Sequence, residues 1–224
     1  MATASGGDKG TRNLVIAMIS FIVVVGVVFS IISSRSNSTA AIPATVSEAD
    51  GYGIVLNPDS TPKIDVYVDY QCPACRMFEI INGGYLNEVI AQKKAKVVFH
   101  PMTFIGPESV LAANAAACAA DENKFVDMNL ALFQNQSESE NSGKWSKEFL
   151  VQLGKSIGIT SGTFKTCVND GTYIKWTSNV AAASAKANVN GTPTIFVNGK
   201  QLDRNTEYGD QAKFRAALAA GGVK

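Results

Sequence analysis

The stretch that decides the fold is IDVYVDYQCPACRMFEII, residues 64–81. Its first part, residues 64–70, is rich in β-branched and aromatic residues and predicts a strand. Its last part, residues 76–81, has apolar residues at helical spacing and predicts a helix. Cys72 therefore lies where a strand ends and a helix begins. Pro73 suits the first helical turn, where its missing N–H costs nothing.

A cysteine in this position is suited to thiol–disulfide exchange. The unpaired N–H groups and the positive dipole end of the helix stabilise a thiolate, which lowers the pKa of Cys72. Cys75 comes one turn later and is expected to be shielded. The pair could instead be half of a zinc site or a small structural disulfide. A zinc site needs two further ligands at suitable spacing, and the rest of the chain offers only the isolated residues His100, Cys118 and Cys167. Redox chemistry is therefore favoured.

A second informative segment is VNGTPTIFVNGK, residues 189–200. Residues 194–197 predict a short strand, and Pro193 stands at its first edge, where proline is tolerated. The dipeptide Asn198-Gly199 is a strong hairpin signal, which predicts a partner strand near Gln201. Most X-Pro bonds are trans, so the sequence of this segment alone predicts nothing unusual at Thr192-Pro193.

Taken together, the two segments resemble those of a known family. A C-x-x-C at a strand–helix junction is followed, about 120 positions later, by Thr-Pro before a strand. From about Asp50 onward the chain resembles the DsbA-like, membrane-anchored thiol–disulfide oxidoreductases of the thioredoxin-like superfamily, of the actinobacterial type. The middle of the chain carries the likeness too, in AAACAA, residues 115–120, and LALFQNQ, residues 130–136.

The resemblance implies a role for each matching residue. Cys72 corresponds to the attacking cysteine and Cys75 to the resolving one. Pro193 corresponds to a cis-proline that faces the disulfide, and the backbone of Thr192 to the group that pairs with a bound substrate strand. Pro73 and Ala74, between the cysteines, complete the expected substrate-binding set.

The chain departs from the family pattern in two places. Many relatives have a buried carboxylate six residues before the first cysteine, as a proton acceptor, but Val66 stands here. The proton of the resolving thiol must then go to Asp65, to Asp69, to water, or to no specific group. The residue pair between the cysteines also lacks the histidine of some strongly oxidising relatives. His100, at a predicted strand end, is interpreted as a structural residue.

Residues 14–32 form an uninterrupted uncharged run that is apolar apart from two serines and a glycine. As a helix it would span about 28 Å, enough to cross the hydrocarbon core of a membrane. Lys9 and Arg12 precede it, which favours a cytoplasmic tail at residues 1–13, a transmembrane anchor at 14–32 and a catalytic domain outside the cytoplasm. A cleaved signal peptide is the alternative, with a cleavage site near residues 38–40. Residues 33–50 are expected to be a flexible linker.

An oxidising compartment and an even number of cysteines favour a second, structural disulfide between Cys118 and Cys167. The resemblance adds that related actinobacterial enzymes carry such a bridge. Two buried free thiols are the alternative.

The remaining pattern predicts one domain at residues 51–224, an α/β thioredoxin-like fold with a helical insertion at about 107–188 and one N-terminal transmembrane helix before it. The helix after Cys72 is expected to break at Asn82-Gly83-Gly84. Further strands are expected at 53–56 and 96–99, and further helices at 110–120, 124–133, 147–157, 173–187 and 211–219.

The net charge of +1 argues against a nucleic-acid partner. The cysteine pair and the family resemblance together imply an enzyme without a cofactor that forms disulfides in exported proteins and is re-oxidised by an unidentified membrane partner. A disulfide reductase or isomerase, a Cu(I) metallochaperone that uses the same cysteines, and a redox-inert scaffold are the alternatives.

Overall fold

The computed structural model describes residues 40–224. The predicted tail at 1–13, the predicted anchor at 14–32 and residues 33–39 of the predicted linker lie outside these residues. Within residues 40–224, no helix is both long and apolar enough to cross a membrane.

The centre of the domain is a six-stranded sheet in the order β1-β2-β4-β3-β5-β6. Strands β3 and β4 are parallel, and every other neighbouring pair is antiparallel. All but the first residue of β3 is buried, because the strand is central and covered on both faces. The strands are β1 (Val46–Ser47), β2 (Gly53–Leu56), β3 (Lys63–Val68), β4 (Lys96–Pro101), β5 (Thr194–Val197) and β6 (Lys200–Gln201).

The predicted hairpin between β5 and β6 is confirmed. Phe196 pairs with Gln201 and Val197 with Lys200. The turn residues have left-handed φ values, 49° at Asn198 and 79° at Gly199, which favour the Asn-Gly dipeptide in a two-residue turn. Strand β1 was not predicted: Val46 and Ser47 lie in the segment expected to be a linker, yet they pair with β2.

The helix after Cys72 continues where the sequence predicts a break. Helix α1 (Pro73–Phe78) runs into a π-helical turn (Glu79–Gly83) and then into α2 (Gly84–Ala91). The predicted break is wrong, since Gly83 keeps helical dihedrals, φ −58° and ψ −41°. A Cβ atom at Gly83 would lie 2.3 Å from Glu79 Oε1, so this glycine makes room for the Glu79 side chain instead of ending the helix.

The predicted helical insertion lies between β4 and β5. One helix of the insertion, α6, was not predicted. Its end signals are nevertheless present in the sequence: Ser161 caps its start by accepting a hydrogen bond from Phe164 N, and Gly171 ends it in a left-handed conformation. The insertion consists of α3 (Pro107–Asp121), α4 (Phe125–Gln134), α5 (Lys147–Ser156), α6 (Gly162–Asp170) and α7 (Ile174–Lys186), and α8 (Gln211–Ala220) follows the hairpin.

A disulfide joins two helices of the insertion. Cys118 on α3 and Cys167 on α6 have Cα atoms 5.9 Å apart and are separated by 49 positions in sequence. Helix α3 is rich in alanine and buried around most of its circumference, which lets the neighbouring helices approach it closely. The bridge therefore connects the buried centre of the insertion to a helix at its surface.

Candidate active site

The two cysteines lie at the junction of β3 and α1. Cys72 is the N-cap of α1, with extended dihedrals (φ −74°, ψ 118°), and Pro73 begins the helix. The preceding turn is held by Gln136, whose Nε2 donates to the carbonyl oxygens of Tyr70 at 2.9 Å and Cys72 at 3.0 Å. The carboxylate of Asp69 also accepts a hydrogen bond from Gln71 N at 2.9 Å. The first cysteine is thus fixed at the open end of the helix.

The two sulfur atoms have different environments. The relative exposure of Cys72 is 9%, whereas Cys75 is fully buried. A hydrogen bond from the Cys75 thiol lowers the pKa of Cys72 to about 6, helped by the Thr192 side chain and by the N–H groups of Cys75 and Ala74, while burial acts in the opposite direction. Burial raises the pKa of Cys75 well above its ordinary value. At neutral pH the pair therefore holds one thiolate, on Cys72, and one thiol.

The loop before β5 faces Cys72. The Thr192–Pro193 peptide bond is cis, and Cys72 Sγ lies 3.5 Å from the carbonyl oxygen of Thr192. The carbonyl of Pro193 accepts hydrogen bonds from Arg204 Nη2 and from the hydroxyl of Tyr208, each at 3.0 Å. The fold thus brings together residues that are 120 positions apart in sequence.

A small cavity adjoins this loop and helix α1. Its volume is about 230 Å³, and apolar side chains form most of its wall. Met77 and Ile80, on the same helical segment, are 52% and 65% exposed. The predicted site residues Ala74 and Pro193 line the cavity directly.

A sequence model of the family described as thioredoxin matches residues 51–218. The chain belongs to the thioredoxin family. Disulfide bond formation protein D of Bacillus subtilis (strain 168) is 30% identical over 160 residues, which are 69% of this chain and 71% of the relative.

Solved structures agree with this assignment. Oxidised BdbD from Bacillus subtilis is 26% identical with a TM-score of 0.65, and the match covers 82% of this chain and 98% of BdbD. MdbA, a thiol–disulfide oxidoreductase from Actinomyces oris, has the same fold, with a TM-score of 0.70, 24% identity and coverage of 82% and 93%. The predicted thioredoxin-like fold with a helical insertion is confirmed. The prediction of a DsbA-like thiol–disulfide oxidoreductase is confirmed as well.

Two carboxylates of this thioredoxin-family chain, Asp65 in β3 and Asp69 directly after it, are held by ion pairs and hydrogen bonds. Asp65 forms an ion pair with Lys63 Nζ at 3.0 Å and a hydrogen bond with His100 Nε2 at 3.1 Å. The carboxylate of Asp69 accepts from Gln71 N, from Ser109 Oγ at 2.7 Å and from Ile105 N at 3.2 Å. The backbone N–H of Asp69 donates to Cys75, with its nitrogen 3.4 Å from Cys75 Sγ.

Glu79 is a buried carboxylate that the sequence analysis did not single out. It follows α1 in the π-helical turn, and Asn129 Nδ2 donates to its Oε2 at 3.3 Å. Its Oε1 is buried without a hydrogen-bond partner among the described residues. Burial raises the pKa of Glu79 to about 6, against which the Asn129 hydrogen bond acts.

His100 has structural contacts. It is buried, its Nε2 lies against Asp65, and its ring stacks on Tyr67 with centroids 4.1 Å apart. Among residues 40–224, no group of three or more His, Cys, Asp and Glu side chains could hold a metal ion.

Sequence reasoning missed three side chains around the cysteines: Gln136, Arg204 and Tyr208. Gln136 lies in the middle segment that resembles the family, but nothing in its spacing connects it to Cys72. Arg204 and Tyr208 lie in a polar loop after β6, and only the tertiary fold brings that loop to Pro193.

Proposed function

We propose that this protein forms disulfides in exported proteins by exchange through Cys72 and Cys75. The observation that carries the proposal is the difference in pKa and burial between the two sulfur atoms. The pKa of Cys72 is lowered to about 6 at the accessible end of α1, whereas Cys75 is buried behind it with a raised pKa. Cys72 is accordingly the sulfur that a substrate reaches, and Cys75 is the resolving one.

The reaction begins with the Cys72–Cys75 pair as a disulfide. A substrate thiolate attacks Cys72 Sγ, the bond between the two cysteines breaks, and Cys75 leaves and takes up a proton. A second substrate thiolate then attacks the substrate sulfur of the mixed disulfide, and Cys72 leaves as a thiolate. Two electrons have passed from the substrate to the protein. A low pKa makes Cys72 a good leaving group and stabilises the reduced protein, both of which favour this direction.

The substrate strand in this proposal lies along the Thr192–Pro193 loop. The carbonyl of Thr192 is close to Cys72 Sγ, so a polypeptide that pairs with this loop would bring its own sulfur to the nucleophile. The apolar cavity beside Ala74 would receive a neighbouring side chain. Pro73, exposed at the start of α1, leaves the approach to Cys72 open.

We also propose that residues 14–32 anchor the enzyme in the cell membrane, with the catalytic domain outside the cytoplasm and a membrane partner that re-oxidises it. The uncharged run and the preceding Lys9 and Arg12 support this topology. The Cys118–Cys167 disulfide supports an oxidising compartment. Protease added to spheroplasts should digest the domain and leave cytosolic markers whole. Protection of the domain would indicate the opposite topology, with the domain in the cytoplasm.

The function is tested with reduced, unfolded ribonuclease A as the substrate. The oxidised protein should restore ribonuclease activity, and each thiol lost from the substrate should appear as one thiol gained by the protein. Cys72→Ser, which cannot form the redox pair, is the matched control and should transfer nothing. If the protein fails to oxidise ribonuclease but reduces insulin rapidly, the reductase alternative is favoured.

A further inference from the structure

Arg204 is linked to the attacking sulfur through a single carbonyl group, that of Thr192. Its Nη2 donates to the carbonyl oxygens of Thr192 and Pro193, each at 3.0 Å. The Thr192 carbonyl is also the group 3.5 Å from Cys72 Sγ. The guanidinium therefore stands at the edge of the loop along which a substrate strand would lie.

The positive charge of Arg204 is not neutralised by an ion pair within residues 40–224. The two carboxylates of its own loop are occupied elsewhere. Asp203 Oδ1 accepts from the N–H groups of Asn205 and Thr206 at 3.0 and 2.8 Å. Glu207 accepts from Asp203 N at 2.7 Å and pairs with Lys200 at 3.6 Å. Since Arg204 is exposed, its charge is available to a bound molecule.

The same guanidinium borders the apolar cavity beside α1. Met77, Phe78, Ile81 and Tyr208 contribute to the wall of this cavity of about 230 Å³, and Arg204 is the charged residue of the lining. A side chain in the cavity would meet apolar surface, and a neighbouring group on the same polypeptide would meet the cation. An acidic residue is the group that complements an uncompensated guanidinium at such an edge.

We propose that Arg204 makes the enzyme selective for substrate polypeptides that carry an acidic residue close to an apolar residue beside the reactive cysteine. The inference rests on the proposed function, because it specifies the substrate class for the same site. The apolar side chain enters the cavity, and the acidic side chain pairs with Arg204 at its edge. Basic residues in the same place are disfavoured by repulsion.

The test uses reduced peptides that share one cysteine and an adjacent leucine and differ at a single position, which holds Glu, Gln or Lys. The variable position is moved from two residues before the cysteine to two residues after it. The oxidised protein is mixed with excess peptide, and two peptide thiols become one disulfide between peptides as each Cys72–Cys75 disulfide is reduced, so the second-order rate constant of this single turnover is measured. At the best position we expect the rate constant for the Glu peptide to exceed that for the Gln peptide by up to about fivefold, the upper end for a partly exposed ion pair. The preference should weaken as salt is raised, because salt screens the pair.

Variants of Arg204 separate charge recognition from a general effect on Cys72. Arg204→Gln should abolish the preference, Arg204→Lys should keep part of it, and Arg204→Glu should reverse it in favour of the Lys peptide. Ratios between peptides cancel any change in the reactivity of Cys72, whose thiolate is titrated in each variant. Arg215→Gln is the matched control, since Arg215 is also a partly exposed arginine but pairs with Glu88 at 3.6 Å, and it should leave the ratios unchanged.

Two failures can be told apart. If the wild-type protein oxidises none of the peptides, the proposed function fails. If it oxidises the Glu, Gln and Lys peptides equally at every position, or if Arg204→Glu keeps the wild-type order, the enzyme is an oxidant and the inference about Arg204 is wrong.

Discussion

Replacing Cys75 with alanine is expected to raise the pKa of Cys72. The hydrogen bond from the Cys75 thiol is the largest of the contributions that lower this pKa to about 6, ahead of the Thr192 side chain and the backbone N–H groups of α1. Alanine removes the donor and keeps the helix. Serine at the same position retains a hydroxyl donor and is the matched control.

The size of the effect follows from the strength of the lost bond. A hydrogen bond to a charged group contributes about 1.5–3 kcal/mol, and one pKa unit corresponds to about 1.4 kcal/mol. The pKa of Cys72 in Cys75→Ala should therefore lie about one to two units higher, near 7 to 8. The thiolate fraction of Cys72 at pH 7 should fall from about 90% to between about 10% and 50%.

The thiolate is measured by its absorbance at 240 nm as a function of pH, and independently by the rate of alkylation with iodoacetamide. The Cys118–Cys167 disulfide is kept intact, and Cys72→Ser supplies the baseline. Cys75→Ser should titrate closer to the wild type than Cys75→Ala does. An unchanged pKa in Cys75→Ala would refute the reasoning, since the low value would then come from the Thr192 side chain and the backbone N–H groups of α1.

Three further predictions concern other parts of the domain. Burial raises the pKa of Glu79 from 4.5 to about 6, so the folded state keeps a proton that the unfolded chain loses, and the stability of the domain declines as pH rises through that window. Glu79→Gln should remove this decline and stabilise the domain at pH 7 by up to about 2 kcal/mol, measured by urea unfolding. An unaltered pH dependence of stability would contradict this prediction. Removing the Cys118–Cys167 bridge opens a loop that spans 49 positions and should lower the free energy of unfolding by up to about 4 kcal/mol, which corresponds to a Tm lower by about 8–16 °C. An unchanged Tm would count against a stabilising bridge. Cys75→Ser should accumulate mixed disulfides with substrates on non-reducing gels and Cys72→Ser should trap few, so equal trapping would argue against Cys72 as the attacking sulfur.

Local sequence was sufficient for the parts of the site that depend on local structure. The strand before Cys72 and the helix that follows it are encoded within residues 64–81, and the Asn198-Gly199 turn is encoded in two residues. The order of these segments was enough to identify the family resemblance.

Features that depend on side-chain packing or on contacts between distant segments were missed or wrong. The break expected at Gly83 is absent because the glycine accommodates the Glu79 carboxylate, a packing requirement that no local pattern expresses. The position of Arg204 against the Thr192 and Pro193 carbonyls likewise depends on how the loop after β6 folds back to the loop before β5. Polar residues in loops have no periodicity, so their partners emerge only from the tertiary structure.

The central claim, that this protein is an oxidant, is tested most directly by comparing the thermal unfolding of its two redox states. The pKa of Cys72 is lowered from 9.0 to about 6, so its thiolate stabilises the reduced fold above pH 6, by about 1.4 kcal/mol at pH 7, and this stabilisation is lost as pH falls through 6. Cys75, with its raised pKa, stays protonated in both the folded and the unfolded chain at pH 7. With the Cys118–Cys167 bridge intact, the reduced protein should have the higher Tm at pH 7 to 8, by a margin that shrinks toward pH 5. A higher Tm for the oxidised protein at pH 7 to 8 would contradict the claim and indicate a reductase.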